Sequence, residues 1–414
     1  MTTTQTKTRK RAILAGLFVI LLSSVAACGG GEAGGTKQVN IALVVPLSGA
    51  NASVGEQSRN AAQLAVDDIN AKGGIKSLEG AKVNLVVADS TNDPQGARDT
   101  MERVLSQSEV SGVFGLDLSP LCAAALPVVV RKHVPVVSAC ISDKLVTADN
   151  GGYFFQIAPK GSAFGDMQVK FLEFLNKEYG MGITKAAILY VDNPYGQSTE
   201  QGIEDLAKKA GLSVVLKSAY PENITDASPL VANIQRSGAQ VIFPVSYISD
   251  SELILSALRT AGNRALVVGG GAGFIWPPIG KALGDKVDGL TSVSSWNLTS
   301  KNVTSDPTLV DVTKRYQQKY DTFMPEQAGE AYAGIWALAE AADQAKSADA
   351  KKVRDALATM DLKSGGATMM QPGEVKFDSN GANEKVSPVM IQWQHGVPQT
   401  VYPPELATAA LQKP

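Results

Sequence analysis

Histidine is nearly missing from these 414 residues; His133 and His395 are the two present. That starves zinc sites, Ser-His-Asp triads and Cys-His pairs of their commonest ligand or base. Neither sign of charge is in excess. With 38 Lys and Arg against 40 Asp and Glu, the net charge of -2 supplies no basic field for nucleic acid, and none is expected as a partner. Catalytic and phosphate-binding signatures are missing too. The stretch GAGFIWPPIGKA (271–282) lacks the spacing and hydroxyl of a G-x-x-x-x-G-K-[ST] cradle, and GGGAGF (269–274) does not make G-x-G-x-x-G. No G-x-S-x-G elbow and no H-E-x-x-H occurs. The carboxylate pair Asp67–Asp68 reads as solvated helix surface. No catalytic residue, cofactor or metal is therefore expected.

Long apolar runs are equally scarce, with one exception. Lys7, Arg9, Lys10 and Arg11 precede AILAGLFVILLSSVAA (12–27), which is short for a spanning helix and ends in small residues, as an export signal does. Its end, VAAC (25–28), resembles the bacterial lipobox, in which the cysteine is acylated and becomes the N-terminus. Residues 1–27 are accordingly expected to be a lipoprotein signal peptide and 28–38, rich in glycine, a flexible tether. The mature chain would begin at Cys28, lipid-anchored on the outer face of the cytoplasmic membrane; a plain secretory signal with an incidental cysteine is the other reading. Cysteine is otherwise confined to Cys122 and Cys140. An oxidising compartment favours a disulfide between them, and two buried thiols remain the alternative.

What is abundant is alternation. From Val39 short apolar runs and longer helical patterns follow one another: VNIALVVPL (39–47), GEQSRNAAQLAVDDINAKGG (55–74), AKVNLVVAD (81–89), then SGVFGLDL (111–118) as strand and PLCAAALPVVVRKH (120–133) as helix. The rhythm restarts at KAAILYVD (185–192) and continues through AQVIFPVSY (239–247) and RALVVGGG (264–271). Such alternation implies parallel βαβ units in two doubly wound lobes, and ligands of such sheets bind beyond the carboxyl ends of the strands. Three helical patterns follow. The chain then closes with two strands expected around an Asn380–Gly381 turn.

The segments IALVVPLSGANASVGEQSRNAAQLAVDDINAKGGI (41–75), LVVADSTNDPQGA (85–97), VPVVSACIS (134–142), YVDNPYGQS (190–198) and DGLTSVSSW (288–296) resemble the bacterial branched-chain amino-acid receptors, the type I periplasmic binding proteins that feed ABC importers. The resemblance covers nearly all of the mature chain. It implies an α/β fold of two Rossmann-like lobes joined by a hinge of three crossovers, here near Ala158, Trp296 and Ala367. Lobe 1 would comprise 39–158 and 297–367, and lobe 2 would comprise 159–296 and 368–404. It further implies a monomeric receptor that closes over a small amino acid and presents it to ABC permease subunits. A small carboxylate, amide or aromatic acid is the alternative ligand, and a ligand-sensing regulatory subunit the alternative role; an enzyme is a remoter one.

The same resemblance places ligand contacts. Ser119 matches the family's carboxylate-binding serine, and locally it suits a helix N-cap followed by Pro120 at N1. Cys140, Ile141 and Ser142 match the second clamp, which offers a backbone carbonyl and a hydroxyl. Tyr195 and Tyr247 match the aromatics that close from the facing lobe, and Val54 stands where an aromatic is often found. Trp276 is expected near the same cleft. Where the family carries an ammonium-binding glutamate this chain has Gly271. Asp117, expected two strand positions before Ser119 and on the same side, is a candidate to supply the missing charge, with Glu330 as the second candidate. The plainer reading of Asp117 is a turn cap.

Overall fold

The structure, a computed structural model, describes residues 38–412. The expected signal peptide, Cys28 and all but the last residue of the tether lie outside the described residues. Among the described residues no helix is long and apolar enough to cross a membrane, and no cluster of metal-ligating side chains occurs.

The first half of the chain runs β1 (Gln38–Val45), α1 (Ala52–Ala71), β2 (Lys82–Asp89), α2 (Pro94–Gln107), β3 (Gly112–Gly115), α3 (Ser119–Lys132), β4 (Val136–Ser138) and β5 (Phe154–Gln156). These strands form a parallel sheet of order β2-β1-β3-β4-β5. β1 shows why its sequence is apolar almost throughout. Ile41, Leu43 and Val45 face one core with α1, while Ala42 and Val44 face the other with α2 and α3. A parallel strand covered on both faces needs apolar side chains on both.

The second sheet is built from α4 (Gly161–Tyr179), β6 (Lys185–Val191), α5 (Pro194–Ala210), β7 (Ser213–Tyr220), α6 (Ser228–Ser237), β8 (Val241–Val245), α7 (Ile248–Thr260), β9 (Leu266–Gly269), α8 (Pro277–Leu283) and β10 (Thr291–Ser294). Its order, β7-β6-β8-β9-β10, repeats that of the first sheet. The chain then returns as α9 (Lys301–Thr304), α10 (Pro307–Tyr320), α11 (Glu326–Ala345) and α12 (Ala350–Ala358), whose apolar faces fill the first core. A short pair, β11 (Asp361–Leu362) and β12 (Val375–Lys376), precedes the final hairpin β13 (Val389–Gln394) and β14 (Val397–Tyr402), which extends the second sheet antiparallel from β10.

Three details depart from expectation. β3 stops at Gly115 because Leu116 and Asp117 both adopt left-handed conformations, with φ of 73° and 55°, so Asp117 and Ser119 are not on one strand. The final hairpin turns at His395–Gly396, where φ is 54° and 74°, as a two-residue type I′ loop requires; the Asn380–Gly381 turn carries only a single bridge, Phe377 to Asn383. Residues 377–383 still lie along β5, through the Gln156–Ala382 bridge and the Phe155–Phe377 ring pair, and Ala367 is buried in the first core. The last passage to the second sheet therefore comes between Asn383 and Val389. Cys122 and Cys140 are disulfide-bonded, tying the first turn of α3 to the loop after β4.

Candidate functional site

Both sheets aim the carboxyl ends of their strands at one cavity between them. From the first sheet, the loop after β3 contributes Asp117, Leu118 and Ser119, and the loop after β4 contributes Ala139 and Ile141. From the second, Tyr195 follows β6, Tyr247 follows β8, and Ala272 and Trp276 follow β9. Phe164 joins them from the first turn of α4, and Glu326, Gln327 and Glu330 from the start of α11. In an open parallel sheet the strand ends beside the switch in strand order leave a crevice, and here two such crevices face each other.

The lobes touch around this cavity. Ser142 Oγ lies 3.2 Å from Ser198 Oγ, Asp143 N donates to Ser198 Oγ at 3.1 Å, and Ser162 N donates to Asp143 Oδ1 at 3.0 Å. Val54, fully buried, reaches from α1 into the apolar cluster of Phe274, Trp276 and Trp393 on the second sheet. The aromatic wall is held in place. Tyr195 and Tyr247 have ring centroids 5.3 Å apart, and the Tyr195 hydroxyl donates to the Gly270 carbonyl at 2.7 Å.

The floor of the cavity is acidic. Asp117, Glu326 and Glu330 all line it, and no Lys, Arg or His is among the described residues that do so. Glu326 is the best satisfied of the three: Ser294 Oγ donates to its Oε1 at 3.1 Å, Ser295 N donates to the same oxygen, and Gln327 Nε2 donates to Oε2 at 3.2 Å. Glu330 accepts from Ser295 Oγ. Burial raises both carboxyls above the usual range, and the neighbouring charge of Glu326 adds to the rise at Glu330. Asp117 faces the cavity as a half-buried residue, yet its Oδ1 is shut off from water without a partner, while Oδ2 accepts from Ser58 Oγ at 2.7 Å. Burial pushes its carboxyl up to about 7, against the opposing pull of Ser58.

A periplasmic binding protein family model matches residues 38–392, which takes in the first sheet and all of the second but its last strand and the end of β13. The chain belongs to that family. Leu/Ile/Val-binding protein homolog 7 of Brucella abortus is 31% identical over 405 residues, covering 95% of this chain and 99% of that protein. Among solved structures, a leucine-binding protein of Thermotoga maritima superposes with a TM-score of 0.77 at 20% identity, over 88% of this chain and 98% of that one. A branched-chain amino-acid transporter substrate-binding protein of Streptococcus pneumoniae, in complex with isoleucine, gives 0.74 at 24% identity, over 89% and 100%. A solute-binding protein of R. palustris in complex with benzoate gives 0.74 at 15% identity, over 88% and 95%. The relatives are binding proteins of transporters, not enzymes, and the family works outside the cytoplasm.

As a member of this family the chain has its own arrangement. Ser119 lies in the cavity wall but is not the N-cap of α3; Leu118 is, and the Ser119 hydroxyl accepts from Ser142 N at 3.3 Å. The Ile141 carbonyl accepts from Gly161 N at 2.6 Å, which uses one of that oxygen's two lone pairs. Cys140 is bound in the disulfide and Ser142 in the lobe contact, and neither lines the cavity. Gly271 has φ of 96°, and a Cβ there would sit 3.0 Å from Phe164 Cε1, so an acid at this position would strain the backbone and displace the ring. Glu326, Gln327 and Phe164 went unrecognised in the sequence. Glu326 opens a helix, where an acid ordinarily just complements the dipole, and that bland role hid it.

Proposed function

We propose that the protein is the exported, lipid-anchored solute receptor of an ABC importer, capturing a small amino acid by closure of its two lobes. Cys28 would carry the lipid, and the three passages between the sheets, with lobe 1 and lobe 2 divided between them, would form the hinge. The observation that carries this reading is the single cavity enclosed by the strand ends of both sheets, with polar contacts between lobes sealing its rim. Affinity for a ligand buried this way shifts the open–closed balance by the ligand's preference for the closed form, and that form is what a permease would recognise. The ligand contacts would be Asp117, Ser119 and the Ile141 loop from one side, Tyr195 and Tyr247 from the other, and Glu330 with Glu326 from the hinge side.

The ligands of several relatives, leucine and isoleucine, favour an ammonium-bearing ligand, and so does the acidic floor. A carboxylate or aromatic acid would meet three acids and no cation. Thermal-shift screening of the mature chain against amino acids, with native mass spectrometry of whatever co-purifies, tests the reading: a ligand should raise the melting temperature in proportion to the logarithm of its concentration. Absence of any stabilising amino compound would refute it. Cys28→Ala should release the protein from the membrane fraction, and continued membrane retention of that variant would refute the lipid anchor.

A further inference from the structure

We propose that the compound bound in this cleft is a cation, a small molecule whose ammonium groups outnumber its carboxylates, as in a basic amino acid or a short diamine. This rests on the solute-receptor reading and narrows its ligand class.

Three carboxylates reach the cavity from two separate parts of the chain, the loop after β3 and the start of α11. Glu326 is supplied with donors by the protein itself. The other two have one hydroxyl donor each, Ser295 on Glu330 and Ser58 on Asp117, and Asp117 Oδ1 has none. A carboxylate taken from water without a counter-charge is costly, and a protein that needed these groups only for structure would gain by replacing them with amides or apolar side chains. A zwitterion's ammonium can bridge two acids, but its own carboxylate cancels its charge and leaves the acidic floor uncompensated, whereas a net cation does not.

Independent orphans point the same way. Gln327, 6% exposed and lining the same cavity, has a buried Oε1 with no donor. It is an acceptor awaiting an N–H. Trp276, 1% exposed, holds an unpartnered Nε1 in the cavity wall, a donor fit for the carboxylate of a basic amino acid. The walls of Tyr195, Tyr247, Phe164 and Trp276 present the ring faces and edges among which ammonium groups are held. Burial holds the carboxyls of Glu330 and Asp117 above their usual range, so protons compete with the ligand's positive charge for them. Arrival of a cation expels them to solvent as the carboxyls ionise.

Isothermal calorimetry on the mature chain tests this, with leucine, isoleucine and valine as zwitterions, lysine and ornithine as basic amino acids, putrescine and cadaverine as diamines, and benzoate as anion. The expected result is that at least one cation binds about ten-fold or more tighter than every zwitterion, a difference of about 1.4 kcal/mol. Its heat at pH 6.5 should vary with buffer ionisation enthalpy in the sense of proton release. Lysine ahead of the diamines assigns a carboxylate partner as well, and the reverse assigns none. Glu330→Gln and Asp117→Asn, near-isosteric and checked for folding by their melting curves, should each weaken the cation by about ten-fold or more and reduce the protons released. Leucine binding as tightly as any cation, or benzoate binding at all, overturns the charge class and leaves the receptor standing. No binding by any amino compound overturns both.

Discussion

Two sets of acids lie close together around α1 and α11 and are treated in opposite ways. Asp68, on α1, is half-buried and is met by Arg315 of α10 in a two-pronged pair, Nη1 to Oδ1 at 2.9 Å and Nη2 to Oδ2 at 2.8 Å, with the Tyr332 hydroxyl adding a third donor at 2.8 Å. Asp117, Glu326 and Glu330, at the cleft, have no cation. Where an acid joins one helix to another, the chain provides the arginine. At the cleft it withholds one, and structural pairing is thereby separated from a charge kept for something that arrives from outside.

Breaking the paired set should have the largest effect. Asp68→Ala leaves Tyr332 without its acceptor and Arg315 with Asp311 alone, and denaturant unfolding should show a loss of about 1–3 kcal/mol with ligand affinity unchanged. A loss of affinity in a variant that still folds would mean that the two sets are not independent. The unpaired set should respond the other way. Glu330→Gln in the free protein should cost nothing or raise the stability by up to about 1 kcal/mol, because it removes a buried acid with no counter-charge. Destabilisation beyond that would show that Glu330 serves the fold. The smallest effect concerns pH. The Asp117 carboxyl, raised to about 7 in the folded chain from an ordinary 3.8, binds a proton more tightly folded than unfolded. Its contribution to stability is therefore fully present below about pH 4 and is lost as pH rises to 7. Between pH 5 and 7.5 the melting temperature of the free protein should fall more steeply than that of Asp117→Asn, by roughly 2–4 °C for each kcal/mol involved. Parallel profiles would show that Asp117 is ionised throughout.

The same contrast marks how much could be read without coordinates. The parallel sheets were legible because a strand covered on both faces must be apolar throughout, as β1 is, and because glycine-closed helices separate the strands. Ser119, Tyr195 and Tyr247 are expected from the family resemblance and Asp117 from its place beside Ser119, and all four line the cavity. Asp68 was misread as solvated surface, since its neighbour Asp67 is exposed and nothing local announces an arginine 247 residues away. Glu326 escaped for a related reason: α11 meets the cleft only through the chain's return from the second sheet, a contact that no pattern of spacing encodes. The hairpin at His395–Gly396 lost out to Asn380–Gly381 because Asn-Gly is the stronger local signal, and here Asp288 supplies acceptors for the amides of His395 and Gly396, both at 3.0 Å.

Gly271 bears on the history open to this sequence. A single nucleotide separates every glycine codon from one for aspartate or glutamate, so an acid at this position is always one mutation away. With φ at 96° and the Phe164 ring against the site of any Cβ, that mutant inherits a distorted loop before it gains a charge. Phe164 would have to shrink first, and that loosens the wall the present ligand rests on. Selection acting one step at a time therefore meets a valley between this receptor and one that carries its acid on β9. Variation in what the cleft accepts is channelled instead to α11 and to the loop after β3.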